Sequence, residues 1–211
     1  MENQQQHLED LKDIRRLMKE SNRFLSLSGL SGIFAGIYAL IGAYAGNKVI
    51  MDFVDDYRLN NFNQEKYHQI ILKCIIICSL VLGLSLITAF ILSGRKAKKK
   101  GQKLFDHTAW QLLINMFIPL AAGGIFCMAM LFHGGSFVVL VGPATLIFYG
   151  LALVNSSKYT LNDIRYLGYL EILLGILTSF YLDYSLIFWA IGFGVLHIVY
   201  GSIMWFKYER K

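Results

Sequence analysis

The chain has 211 residues, of which 55% are hydrophobic and only 16% charged. Soluble domains carry roughly 25% charged residues, so this composition excludes an ordinary water-soluble fold and points to the membrane. The formal charge of +6 would suit nucleic acid only if the basic residues shared a solvated surface; they gather instead at the ends of apolar runs, which excludes a nucleic-acid partner and makes them an orientation signal.

Residues 1–23 are polar, with Leu8, Leu11, Ile14 and Met18 recurring every three or four positions, which predicts a short amphipathic helix, a cytoplasmic arm ahead of the membrane domain. The first apolar run, Phe24 to Gly46, exceeds the roughly 7 to 15 apolar residues of a secretory leader and opens a series of similar runs, so it reads as a span. Its Ser28, Gly32 and Gly36 lie four apart, the spacing that lets two helix backbones approach closely in lipid.

A polar segment from Asn47 to Gln69 follows, acidic in its first half through Asp52, Asp55 and Asp56, and reads as a solvated loop. Five further runs cover approximately Cys74 to Ser93, Trp110 to Phe132, Phe137 to Val154, Ile164 to Leu182 and Ser185 to Phe206. Each approaches the roughly 20 residues needed to cross a hydrocarbon core. Pro119 and Pro143 predict bends in the third and fourth runs. His133 to Ser136 and Asp183 with Tyr184 predict tight turns, and Asn155 to Asp163 a short polar loop.

The expectation is thus an all-α polytopic membrane protein of six transmembrane helices over 24–206, followed by a basic tail at 207–211. Lysine and arginine fall in four groups, Lys12 to Arg23, Arg95 to Lys103, Lys158 with Arg165, and Lys207 to Lys211, leaving only Lys48, Arg58, Lys66 and Lys73 on the opposite side. Short basic loops stay cytoplasmic, so both termini are expected there.

Chemistry-bearing motifs are few. Cys74, Cys78 and Cys127 lie inside apolar runs and read as small hydrophobes. No phosphate loop, zinc-type His-Glu helix, nucleophile elbow or Cys-x-x-Cys pair occurs, so no metal or cofactor is expected and an enzyme is the third-ranked reading.

The informative residues are Asn115, Glu171 and His197, polar groups inside apolar runs, where they are costly unless they face the bundle interior or water. At ~1.5 Å per residue they lie about 8, 10 and 13 Å from the cytoplasmic end of their runs, in nearly one layer. Ser31, Ser85, Thr88, Tyr149 and Tyr200 fall at comparable depth and complete a predicted polar belt. Glu171 and His197 sit on consecutive antiparallel runs and are expected to meet. Their pairing serves either to fix the register of the last hairpin or to bind a proton or polar solute.

The segments Ser21 to Gly32, Asn155 to Tyr169 and Gly192 to Gly201 resemble those of an uncharacterised family of bacterial six-span integral membrane proteins. The resemblance runs nearly the full length and implies an inner-membrane location, with no activity or binding residue attached. The function expected is a non-enzymatic accessory or interaction component. Its partners would be the bilayer and either a second copy of the chain or another membrane protein. The alternative is a small-solute or proton-coupled transporter built around Glu171 and His197.

Overall fold

The computed structural model describes residues 28–58, 64–99 and 107–210, so the predicted arm at 1–23 lies outside the described residues. The described residues are helical, with no strand among them. In chain order the helices are α1 (Gly29–Arg58), α2 (Gln64–Lys99), α3 (His107–His133), α4 (Val141–Ser156), α5 (Asp163–Phe180) and α6, a rod spanning Leu182–Tyr208. Five helical segments, α1, α2, α3, α6 and Gly135–Tyr159, which is α4 with its flanking 3-10 turns, are long and apolar enough to cross a membrane; α5, carrying Asp163, Arg165 and Glu171, falls outside that group.

The expected loop from Asn47 to Gln69 is mostly helix. α1 runs on to Arg58 and α2 begins at Gln64, so Asp52 and Asp55 stand on a helix that continues past the apolar run. No glycine or proline follows Gly46 before Gln64 to break it. At ~1.5 Å per residue these helices measure about 45 and 54 Å, longer than a hydrocarbon core of roughly 30 Å. At the other end of the chain, the helix takes in Lys207 and Tyr208, which had read as tail.

Pro143 occupies the first turn of α4, a position that tolerates proline. Pro119 lies inside α3. Between the two helices Gly134 and Gly135 adopt φ of 65° and 55°, a left-handed conformation that side chains disfavour, and Gly134 N–H closes the end of α3 on the Met130 carbonyl at 3.1 Å.

α4 packs along α5 and α3, α6 packs on α1, α5 and α4, and α2 packs on α1. α2 and α3 therefore flank the bundle and turn Leu80, Leu84, Ile87, Phe117, Ile118 and Met128 outward. Such continuous apolar surface is a liability in water and matches lipid tails.

Two glycine seams hold the centre. On the first, α1 meets α6: a Cβ on Gly36 would lie 2.5 Å from the Gly194 carbonyl oxygen, and one on Gly32 would lie 3.2 Å from Gly201 Cα. On the second, α4 meets α5, where a Cβ on Gly150 would lie 2.6 Å from the Gly168 carbonyl oxygen and one on Gly168 would lie 2.8 Å from that of Gly150. At these points backbone rests on backbone, the contact that drives helix association in lipid.

Charged contacts tie four helix ends together on one side. Just beyond α6, Glu209 accepts hydrogen bonds from Gly29 N–H at 2.6 Å, Lys96 Nζ at 3.0 Å and Ser28 Oγ at 3.3 Å, capping α1 and holding the last turn of α2. Lys207 Nζ and Tyr208 Oη each donate to Asp163 Oδ2 at 2.9 Å, joining α6 to the start of α5. Glu209→Ala is expected to cost about 1–2 kcal/mol, since it removes both a helix cap and a charge-assisted bond. Reversible unfolding in mixed micelles reads this loss; unchanged stability would mean that solvent caps α1 equally well.

Candidate functional site

Glu171 and His197 meet where α5, α4 and α6 converge, and what positions them is an irregular stretch of α6. Residues Ala190–Leu196 form a π-helix between the α-helical segments Ser185–Trp189 and His197–Tyr208. A π turn is wider than an α turn and recurs at functional positions. Here the Gly192 carbonyl, five residues before His197, lies 3.0 Å from His197 Nδ1. A carbonyl only accepts, so Nδ1 carries hydrogen and donates to it.

The other ring nitrogen, Nε2, lies 2.7 Å from the Tyr149 hydroxyl of α4. Phe193 stacks near the ring of His197 with centroids 6.0 Å apart, and against Tyr149 at 5.0 Å, so the imidazole is walled by aromatic faces.

Glu171 is fully buried, and His197 is only 7% exposed. The nearest approach of the two is Nδ1 to Oε1, 3.5 Å, which is an ion-pair distance but not a formed hydrogen bond. Neither carboxyl oxygen has a hydrogen-bond partner. Space for the carboxyl comes from Gly192, where a Cβ would lie 2.5 Å from Oε2 and 2.6 Å from Leu146 Cδ2. Gly192 thus contributes both a carbonyl for the imidazole and a vacancy for the carboxyl. Glycine content hints at such a role in sequence, but Ala190 to Leu196 otherwise reads as an ordinary apolar helix.

The remaining members of the predicted belt are dispersed. Asn115 is engaged elsewhere: Asn155 Nδ2 donates to its carbonyl at 2.9 Å and to Oδ1 at 3.2 Å, linking α3 to α4, while Asn115 Nδ2 donates to the Gln111 carbonyl at 2.8 Å. Asn155, expected in a loop, is the penultimate residue of α4. Ser31 Oγ donates to the Ser28 carbonyl at 2.6 Å within its own first turn. Ser85 donates to the Val81 carbonyl at 2.7 Å, and Thr88 faces Tyr38 across α1 and α2 at 3.3 Å. Tyr200 stands beside Tyr149 against Leu153, Ile164 and Leu167, its hydroxyl buried without a partner. Depth alone predicts one belt; helix rotation instead pairs Asn115 and Thr88 across helices and leaves Ser31 and Ser85 on their own backbones.

The packing residues of α1 face α6. Gly32 and Gly36 lie on the seam, while Ser28 sits at its mouth, its N–H 3.4 Å from Ser93 Oγ and its hydroxyl on Glu209.

At the charged end, ahead of the apolar stretch that begins with Ile164, Asp163 is held below the usual carboxylate range. Its partial burial would raise it, but hydrogen bonds from Lys207 and Tyr208, with the Lys207 charge, outweigh that.

No protein-family model, curated protein or solved structure matches this chain. Two shallow surface clefts run between α1 and α2, one beside Asp52, Lys66 and Lys73, the other beside Tyr38 and Thr88; neither is lined by Glu171, His197 or Tyr149. Chemically, the cluster sets a carboxyl without hydrogen-bond donors beside an imidazole whose two nitrogens are both engaged.

Proposed function

We propose that this chain is a six-span protein of a bacterial inner membrane with both termini in the cytoplasm. In this reading it works without enzymatic chemistry, as an accessory or interaction component for a second copy or another membrane protein. The reading of α5 as the sixth span rests on its length and on where its charges lie. Asp163 and Arg165 are at its first turn, engaged by Lys207 and by Ser157 respectively, and the following apolar stretch runs to Phe180. Orientation rests on the basic groups around Lys96, Lys158 and Lys207, which fall at the charged end and by the positive-inside rule belong to the cytoplasm.

The observation that carries the non-transporting reading is the closure of the polar core: Glu171 is fully buried and His197 nearly so. A second reading, proton-coupled or small-solute transport, is favoured by one specific fact. A buried carboxyl without any donor is a poor packing device, because a structural hydrogen bond would satisfy it.

Both readings are tested in one preparation. In a cysteine-free background, an impermeant maleimide added from outside the cell is expected to label Ser136→Cys and to spare Lys158→Cys; the reverse pattern would invert the topology. In liposomes with an entrapped pH dye, the accessory reading expects wild type and Glu171→Gln to dissipate a pH gradient equally slowly. Faster dissipation by wild type alone would make transport the leading reading.

A further inference from the structure

Glu171 raises a problem of charge balance. It sits away from water with both oxygens lacking donors, and an ionised carboxylate in such a place is costly unless a positive charge compensates it. Among the described residues, the titratable groups around it are His197 from α6 and, on the far side of that ring, Tyr149 from α4; Tyr200 packs against Leu153, Ile164 and Leu167. α1, packed on the π segment, brings Gly36 and Leu40 there and no charge. Arg165 and Lys207 are at the charged end, occupied by Ser157 and Asp163.

With the carboxyl ionised and the imidazole neutral, the cluster would hold an uncompensated negative charge. One added proton removes it, in either of two arrangements. On Glu171 it gives a neutral acid beside a neutral ring, with Nδ1–H on the Gly192 carbonyl and Nε2 accepting from the Tyr149 hydroxyl. On His197 it gives an imidazolium 3.5 Å from the carboxylate, with Nε2–H donating to the Tyr149 oxygen. A second added proton would leave a buried positive charge. The neutral cluster therefore holds one proton more than carboxylate and neutral imidazole together.

We propose that Glu171, His197 and Tyr149 form a proton-binding site that holds one exchangeable proton, either on the Glu171 carboxyl or on Nε2 of the His197 ring. The site is built for this ligand. Gly192 lacks the Cβ that would collide with Oε2, and its carbonyl holds Nδ1–H within reach of Oε1. A metal cation would need several free oxygens, and the Gly192 carbonyl is already engaged by an N–H; no group of three or more metal-ligating side chains occurs among the described residues. Nδ1–H stays on the Gly192 carbonyl in both arrangements, so what the proton changes is the Nε2–Tyr149 hydrogen bond, whose donor reverses. The inference goes beyond the accessory reading and stands whether or not the proton crosses the membrane.

The test is infrared difference spectroscopy on the full chain in lipid nanodiscs, stepping between pH ~6 and ~9, a window in which exposed carboxyls stay ionised. A protonated-carboxyl C=O band that changes with pH, shifts in deuterated water, shifts on ¹³C-glutamate labelling and vanishes in Glu171→Gln is expected. His197→Gln should move its midpoint, and exchanging sodium for potassium should leave it in place. A carboxyl band constant across the window, a band that sodium abolishes, or the absence of both a carboxyl band and a pH-dependent imidazolium band removed by His197→Gln would overturn the proposal. Glutamate labelling assigns the band to a glutamate in wild type, and Glu171→Asp, expected to move the band out of the glutamate-labelled set, keeps the test open if Glu171→Gln fails to fold. The entrapped-dye assay is independent: an infrared titration without gradient dissipation supports the site and the accessory reading together.

Discussion

Gly201→Ala is expected to separate α1 from α6 and to lower stability by about 2–3 kcal/mol, the upper range for overpacking a well-filled interior. The added Cβ would meet the Gly29 carbonyl oxygen and the Ile33 nitrogen, each at 2.6 Å. Both are backbone atoms and cannot rotate aside. The same displacement would pull Gly29 N–H from Glu209, so the cap of α1 weakens with the seam. Gly83→Ala is the control: nothing lies within 4 Å of its Cβ, and losing a glycine from a helix interior should gain up to about 1 kcal/mol. Reversible unfolding in mixed micelles, followed by circular dichroism, compares the two. Equal effects would mean that the seam does not bear the bundle.

His197→Ala should be costlier, about 3–5 kcal/mol, because it removes one partner of a buried polar cluster and leaves a cavity. Tyr149 Oη and Gly192 O each lose the hydrogen-bond partner that His197 provides, and Glu171 loses the base that balances its charge. Replacing the acid as well reverses the argument: apolar side chains often substitute for a buried pair at little cost. His197→Ala combined with Glu171→Leu should therefore recover about 1–2 kcal/mol relative to the single alanine variant, a non-additivity that the double-mutant cycle reads directly. Strict additivity would show that the two side chains, though adjacent, do not share a proton or a charge.

The apolar runs, the small-residue spacing from Ser28 to Gly36 and the three polar intruders Asn115, Glu171 and His197 are legible in the sequence, because composition and periodicity are local properties. Helix boundaries were less so: a helix does not stop where hydropathy does, and nothing between Asn47 and Arg58 interrupts α1. Tertiary structure decided the partners. Depth put Asn115 in the same layer as Glu171, yet the rotation of α3 turns it to Asn155, and rotation emerges only when side chains choose neighbours. Glu209 as the cap of α1, across 180 positions, is equally invisible to any local pattern. The π segment is the deepest case. Residues Ala190–Leu196 are apolar and glycine-rich, which permits a wide turn without requiring it; the buried carboxyl beside Gly192 and the imidazole on its carbonyl accompany that turn. The sequence by itself determined the helical class and the residues too polar for their surroundings, since each depends on a residue and its near neighbours. Only the tertiary structure decided which of them meet, because contact between distant segments depends on the packing of all the helices at once.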